Sequence, residues 1–460
     1  MINKYYLSNI LKNNYMLNIT SINELAGEID ENYMVQVDSG KYFVAKIANI
    51  NTNYEILEMQ NKAVNLVKNI LPEYLFLEAL SNKDGKEITA LYDSNNNQRY
   101  LRVIKYHDGI VRSKIHNHNN NLLYELGKFA ATVNHNLKDF YHLAAKRFIK
   151  WDPSQIEWIT KYFNLFKLPE EQKIIHHFYS LIEKNLIPKL KNIKKSINHN
   201  DFNDNNILLN KNYYDRKIIG ILDFGDMTFS HTKNELAIAI AYATMNKKDP
   251  LNAAYYIIKD YNDTCKLDEE EIEILFYLVV ARLLISITTA EKKRIEHPEN
   301  PYLQISAKPA CDLLTKLQNI HPNFAQYLFR NACGLNSCPI YIKFNKLLEK
   351  NKSNIGKLIN LDLKKAKVLD LSIGSLELGH NNNFENDKSF NNHINLIMQQ
   401  SNSEVMIGRY NEARPIYTTE LFYQGGNDGP NWRTLHIGLD IFAPAGTTVF
   451  APLNGTIFNI

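Results

Sequence analysis

The sequence predicts an α+β chain with a small β-rich lobe, a helical lobe, a linker and a further β-rich segment. Three observations predict this division. Short apolar runs separated by turn residues fill residues 1–105, and apolar residues at helical spacing fill most of 106–338. After residue 403, short apolar runs alternate with Pro and Gly turns. A β-rich part followed by a helical part is typical of α+β proteins with a cleft between two lobes.

Residues 1–105 are predicted to form a five-stranded antiparallel lobe with one helix. Apolar runs at 33–37 and 42–47 flank a turn sequence, Asp38-Ser39-Gly40-Lys41, and this pattern predicts a hairpin. A helix is predicted over 53–70, and further strands are predicted over 75–79, 87–92 and 100–106.

Residues 106–338 are predicted to form a helical lobe. A segment with loops and short strands, 197–224, interrupts it. The longest apolar stretch, 274–287, contains Arg282 and is shorter than the roughly 20 residues needed to cross a bilayer. The helices are expected near 122–137, 153–166, 170–187, 234–246, 250–262, 268–296, 302–319 and 322–332.

The length and composition exclude a fibrous protein, a small disulfide-rich protein and a chain that is disordered throughout. The 460 residues are 45% hydrophobic and 22% charged, as is usual for globular proteins. A net charge of +4 does not indicate a partner such as nucleic acid or a membrane surface. The four cysteines form no C-x-x-C pair, and the N-terminus has no signal-peptide core. We therefore expect a cytoplasmic protein without nucleic-acid or membrane partners.

The most informative motif is H-x-D-x-x-x-x-N, formed by His199, Asp201 and Asn206, followed by Asp223 on a loop after a buried strand. Phosphoryl transfer to a hydroxyl needs a carboxylate that receives the hydroxyl proton and oxygen ligands that hold magnesium on the phosphates. We predict that Asp201 is the catalytic base and that Asn206 and Asp223 bind magnesium. His199 is expected to support the loop.

A lysine upstream completes the predicted nucleotide site. Strand alternation over 42–47 places Lys46 on the same face as Tyr42 and Val44. A lysine that projects from a strand into a cleft suits the α- and β-phosphates of a nucleotide. Glu58 and Glu55 on the following helix are candidates for the ion pair that orients this lysine, and Glu58 is preferred.

These motifs resemble the aminoglycoside phosphotransferase and choline kinase group, small-molecule relatives of protein kinases, and within it the hydroxylysine kinase subfamily. The resemblance covers residues 1 to about 340 and implies a protein-kinase-like two-lobe fold. It implies transfer of the γ-phosphate of ATP or GTP, with magnesium, to the hydroxyl of an amino alcohol or hydroxylated amino acid. The first candidate acceptor is 5-hydroxylysine. Supporting sequences lie at 27–33, 44–49, 222–226 and 332–335.

The chain also departs from protein kinases in informative ways. The loop G-x-G-x-x-G is absent, and the equivalent turn, 27–32, has one glycine and several acidic residues. The absence of an A-P-E segment argues against protein substrates. Acidic residues of the helical lobe are candidates for pairing with an acceptor amine, namely Glu235, Asp226 and Asp204.

The last segment resembles the opening of lysostaphin-type zinc endopeptidase domains. Their H-x-x-x-D motif supplies two zinc ligands, and His436 and Asp440 match it. A catalytic zinc needs a third protein ligand, which in that family would lie beyond Ile460. We therefore expect a linker over 339–402, an incomplete β-rich domain over 403–460, and zinc only in a complete domain.

Two alternatives to the kinase hypothesis follow from the same residues. The chain also resembles the front of longer bacterial proteins that continue into a pyridoxal-phosphate aminotransferase or phospholyase. In such a fusion, or in a zinc endopeptidase, the kinase-like part would be accessory. A pseudokinase is the other alternative, and intact Lys46, Asp201, Asn206 and Asp223 argue against it.

Overall fold

The computed structural model describes residues 2–25, 27, 29–115, 119–296, 307–380, 386–418, 423–426, 429–432 and 434–456. The chain divides into two compact units, Met1–Ser337 and Cys338–Ile460. Buried apolar clusters lie within each unit, so each has a core of its own.

The N-terminal lobe of the first unit contains a five-stranded antiparallel sheet in the order β1-β2-β3-β6-β5. One face of this sheet packs on helix α1 through buried residues that include Val35, Ala45 and Val103. The opposite face carries Lys46, which points into the cleft. The elements are α1 (Lys4–Tyr15), β1 (Ile19–Leu25), β2 (Glu31–Val37), β3 (Tyr42–Ile47), α2 (Tyr54–Ile70), β4 (Leu75–Phe76), β5 (Thr89–Tyr92) and β6 (Gln98–Lys105).

The sheet has the predicted number of strands but not the predicted members. The run at 75–79, expected in this sheet, contributes β4, which pairs in parallel with a strand of the helical lobe. The fifth strand of the sheet is instead β1. The sequence did not predict β1, because this edge strand is polar and only partly buried. Helix α1 was also missed, since Asn and Lys interrupt its apolar residues.

The helical lobe surrounds four short strands that carry the loops of the predicted site. Strands β9 and β10 are antiparallel neighbours, and β8 pairs with β11. The segment predicted as a helix near 153–166 is a 3₁₀ helix, Pro153–Leu165. The other elements are β7 (Ile110–Val111), α3 (Asn120–Leu137), α4 (Pro169–Asn185), β8 (Lys195–Asn198), β9 (Ile207–Leu209), β10 (Ile218–Ile221), β11 (Thr228–His231), α5 (Asn234–Thr244), α6 (Pro250–Thr264), α7 (Glu269–Glu296), α8 (Ala307–Gln318) and α9 (Pro322–Ala332).

Helix α7 forms the centre of this lobe. Within the described part of the chain it is the helix whose length and composition would allow it to cross a membrane, yet 89% of its apolar window is buried inside the protein. It packs against α5, α8 and the 3₁₀ helix. A core position explains why the central part of the helix is apolar on nearly all sides.

The second unit contains regular structure where a linker was expected. Part of 339–402 forms helices and a strand, and α11 and β12 share a small apolar core with β13. The prediction of a linker failed because this core needs only a few apolar residues, such as Leu369, Ile394 and Ile397, in an otherwise polar stretch. The elements are α10 (Pro339–Lys350), β12 (Lys367–Leu369), α11 (Asp387–Ser401), β13 (Met406–Gly408), β14 (Glu412–Ala413), β15 (Tyr423–Gly426), β16 (Gly429–Trp432), β17 (Leu435–His436) and β18 (Asp440–Phe442).

The contact between α3 and α6 depends on Gly127. A Cβ atom at this position would lie 1.9 Å from the backbone oxygen of Ile257.

We predict that Gly127→Ala forces the helices apart and lowers the free energy of unfolding by about 3 kcal/mol, the upper range for overpacking. Urea unfolding measures this change. The control Lys128→Ala, at the next and exposed position, should change stability by less than about 0.5 kcal/mol. Equal effects of the two variants would contradict the tight crossing.

Candidate active site

A buried histidine holds the first loop of the site in place. His199 follows β8 and is fully buried. Its Nε2 lies 2.9 Å from the carbonyl oxygen of Leu222, and its Nδ1 lies 3.2 Å from the backbone nitrogen of Asp201. Because a carbonyl only accepts and a backbone N–H only donates, the ring is the neutral Nε2–H tautomer. Burial lowers the pKa of His199 and keeps it neutral.

Three donors orient the carboxylate of Asp201. Asn206 Nδ2 donates to Oδ2 at 2.6 Å, and Oδ1 accepts from Asn203 Nδ2 at 2.7 Å and from Arg282 Nη2 at 2.8 Å. The side chain remains partly exposed at the cleft. An oriented, accessible carboxylate is what a base that accepts a hydroxyl proton requires.

Sequence reasoning missed the role of Arg282. In the sequence this residue interrupts an apolar stretch. In the structure its buried guanidinium lies over the rings of Trp151 and Tyr242, with its Cζ 4.8 and 5.4 Å from their centroids. It also donates to the backbone carbonyl of Trp151. A charged residue in the middle of a buried helix was the available signal, because such a charge requires a partner.

The second loop of the site carries Asp223, two residues after the end of β10. The backbone of Asn206 is tied to this loop, since its carbonyl accepts a hydrogen bond from the Leu222 N–H at 2.8 Å. Asp223 adopts a positive φ of 47°, and its Oδ1 accepts a hydrogen bond from the Gly225 N–H at 2.9 Å. A Cβ at Gly225 would lie 2.9 Å from that oxygen. Close approach of the carboxylate therefore favours glycine at this position.

Lys46 and Asp223 form an ion pair across the cleft. The ammonium nitrogen lies 3.1 Å from both carboxylate oxygens of Asp223 and 3.7 Å from Asp30 Oδ2. Desolvation raises the pKa of Asp223, but the charge and hydrogen bonds of Lys46 lower the pKa by more than desolvation raises it. The net shift of the pKa is therefore downward. Asp223 is therefore ionised at neutral pH.

The predicted ion pair between Lys46 and Glu58 is not present. Glu58 instead contacts Lys62 at 3.0 Å and His142 at 3.3 Å. Glu58 and Glu55 both line an open cavity of about 730 Å³. The prediction failed because helix α2 turns these glutamates toward this cavity, while Asp30 from the turn before β2 approaches the lysine.

The side chains of Asp223 and Asn206, one from each loop, fit a divalent cation. Magnesium prefers oxygen ligands and uses one or two carboxylates together with substrate phosphates. Asp223 supplies an ionised carboxylate. Asn206 directs its amide nitrogen to Asp201, which leaves its Oδ1 as the atom that could bind a metal. These two residues therefore fit the magnesium ligands that a phosphotransferase needs.

Comparison with known proteins agrees with this arrangement. Residues 21–264, more than half of the chain, match the family described as "Phosphotransferase enzyme family". The chain belongs to this family. Two similar curated proteins are both named hydroxylysine kinase. The one from Danio rerio is 29% identical over 68% of this chain and 90% of its own length. The one from Xenopus laevis is 30% identical over 68% of this chain and 88% of its own length.

A solved structure shares the fold of this phosphotransferase. It is described as an amicoumacin kinase in complex with AMP-PNP, Ca²⁺ and Ami, and it superposes with a TM-score of 0.51 at 13% identity. The similarity covers 68% of this chain and 93% of the other. The protein-kinase-like two-lobe fold expected for the first 340 residues is thus confirmed.

The three acidic residues proposed to face the acceptor differ in their surroundings. Asp204 is paired with the buried Arg112, and Glu235 is buried and accepts a hydrogen bond from the Asn200 N–H at 2.6 Å. Asp226 is only partly buried. Desolvation and the neighbouring charge of Asp201 raise the pKa of Asp226 to about 7. Of the three, Asp226 is the residue available to a ligand in the cleft.

In the second unit, His436 and Asp440 lie together, with Nε2 and Oδ1 3.2 Å apart. The other oxygen of Asp440 accepts from the buried Arg414 at 2.5 Å. Among the residues that the structure describes, no three His, Cys, Asp or Glu side chains form a group that could hold a metal. A pair with an adjacent guanidinium does not fit a catalytic zinc, which takes three protein ligands.

The buried Glu235 predicts a dependence of stability on pH. Burial raises the pKa of this carboxyl to about 8, so between pH 4.5 and 8 the folded protein keeps a proton that the unfolded chain releases. Stability then falls as pH rises through this window, by up to about 1.4 kcal/mol per pH unit. We predict that Glu235→Gln, which mimics the protonated form, loses less stability between pH 6 and 8 than the wild type.

Chemical denaturation at pH 6 and pH 8 measures this difference. The control Glu183→Gln replaces an exposed glutamate of α4 and should retain the wild-type pH dependence. If Glu235→Gln shows the same loss of stability as the wild type, Glu235 is not protonated in the folded protein.

Proposed function

We propose that this phosphotransferase transfers the γ-phosphate of ATP or GTP to the hydroxyl group of 5-hydroxylysine or a closely related hydroxylated amine. The observation that carries the proposal is the Asp201 carboxylate, held by Arg282 and Asn206 on a loop tied to the one that carries Asp223. The names of the two curated relatives support the choice of acceptor, because the chain covers 88–90% of their length.

The residues of the site account for the steps of the transfer. Asp201 orients the acceptor hydroxyl and takes its proton as the hydroxyl oxygen attacks the γ-phosphorus. The bond between the γ-phosphorus and the bridging oxygen breaks, and the nucleoside diphosphate leaves. Lys46 binds phosphate oxygens in place of its present partner Asp223. Magnesium, held by Asn206 and Asp223, would neutralise charge on the phosphates.

Asp226 is the residue we assign to the amine of the acceptor. Burial and the charge of the neighbouring Asp201 raise the pKa of Asp226, and an ammonium group bound between the two carboxylates would lower it. A bound amine would keep Asp226 ionised at neutral pH. An acceptor without an amine would lack this interaction, which favours amino alcohols and hydroxylated amino acids over simple alcohols.

For the remaining parts of the chain we make coarser proposals. A kinase that uses ATP or GTP fits a cytoplasmic location, where both nucleotides are available. The motif of His436 and Asp440 supports kinship of the second unit with lysostaphin-type domains, without a zinc-dependent activity. A phosphorylated hydroxy amino acid is a substrate for pyridoxal-phosphate phospholyases, so an enzyme of that class is the expected downstream partner.

The proposal is tested by ADP or GDP formation over a panel of acceptors: 5-hydroxylysine, ethanolamine, choline, homoserine and aminoglycosides. We predict the highest kcat/KM with 5-hydroxylysine and no turnover with lysine, which has no hydroxyl. Asp201→Asn should lower kcat by about 10²–10⁴-fold, the range for loss of a general base, and leave nucleotide affinity within about twofold.

Asp215→Asn is the matched control, since it neutralises an exposed aspartate outside the site. Its kcat should stay within about twofold of the wild type. Absence of acceptor-dependent turnover with every compound, or full activity of Asp201→Asn, would exclude the proposed reaction.

A further inference from the structure

A second cation lies beside Lys46 on the cleft face of the N-terminal sheet. Arg102 on β6 is the direct cross-strand partner of Lys46 on β3, so both side chains leave the same face of the sheet. The face is the one covered in part by α2, because Arg102 Nη1 donates to Asn61 Oδ1 of that helix at 3.1 Å. Arg102 is only 6% exposed.

Among the residues that the structure describes, Arg102 differs from the other buried arginines because no carboxylate lies within ion-pair distance of it. Six described arginines are buried. For Arg102, the described residues offer a neutral amide as hydrogen-bond acceptor and no acidic group within ion-pair distance. The other five each pair with a carboxylate: Arg99 with Glu31, Arg112 with Asp204, Arg282 with Asp201, Arg330 with Glu269, and Arg414 with Glu412 and Asp440.

This placement is unfavourable unless an anion joins it. A buried charge without a partner costs free energy, and like charges directly opposite each other on a sheet repel. Burial lowers the pKa of Arg102, and the charges of Asp30, Asp223 and Glu87 only partly offset this effect. Asp30 and Asp223 both contact Lys46, and Glu87 accepts a hydrogen bond from Asn65. In addition, the buried Nδ2 of Asn61 finds no acceptor among the described residues.

We propose that Arg102 is a second phosphate-binding residue, which contacts the polyphosphate of the nucleotide next to Lys46. The inference rests on the proposed kinase function and adds a residue to it. The planar guanidinium presents paired donors that match phosphate oxygens. The turn before β2 brings Asp30 toward the site, so Arg102 would add positive charge where the phosphates otherwise lie near an acidic side chain.

The test measures the affinities of ATP, ADP, AMP and adenosine for the full chain and its variants. Arg102→Met should weaken ATP and ADP binding roughly tenfold to hundredfold, the range for loss of a charge-assisted hydrogen bond. AMP should be affected less, and adenosine should stay within about twofold. Arg102→Lys, which keeps the charge, should lie between wild type and Arg102→Met.

Arg99→Met is the matched control, because Arg99 is a buried arginine of the same strand that pairs with Glu31 on the other face of the sheet. It should leave the ratio of ATP to adenosine affinity unchanged, even where it lowers thermal stability. If Arg102→Met weakens ATP and adenosine equally, or weakens neither, Arg102 has only a structural role. If wild-type protein itself fails to prefer ATP over adenosine, the proposed kinase function fails instead.

Discussion

The geometry of the site depends on the buried imidazole of His199. Its two hydrogen bonds connect the backbone of Asp201 to the carbonyl of Leu222, so that the loop with the proposed base and the loop with Asp223 have a fixed separation. A second hydrogen bond, from the Leu222 N–H to the Asn206 carbonyl, also joins the two loops. Protonation of the ring would destroy one of the two bonds, and complete burial prevents it.

The second requirement of the site is that its charged side chains are paired. Arg282 extends from the core helix α7 to the Asp201 carboxylate, so the position of the base depends on the packing of the whole helical lobe. Lys46 and Asp223 provide the corresponding pair at the cleft between the lobes. Arg102 is the exception among the buried arginines that the structure describes, because its acceptor there is the neutral amide of Asn61.

The sequence predicted those parts of the fold and the site that depend on local pattern. The strands on either side of residues 38–41, the apolar helices, and the order of Lys46, Asp201, Asn206 and Asp223 could all be recognised from spacing. Contacts between distant segments could not. Neither the pairing of Arg282 with Asp201 nor the direction of Glu58 has a local signature, because both depend on how helices rotate when they pack. Polar elements such as β1 and α11 were missed, since their few apolar residues show no clear period.

The most direct test of the kinase account is the identity of the product. The full chain is incubated with ATP, a magnesium salt and 5-hydroxylysine, and the products are examined by mass spectrometry and ³¹P NMR. The account predicts one phosphate monoester on the hydroxyl oxygen of the acceptor for each ADP formed. Release of inorganic phosphate without an ester, or phosphate found on the protein alone, would contradict it.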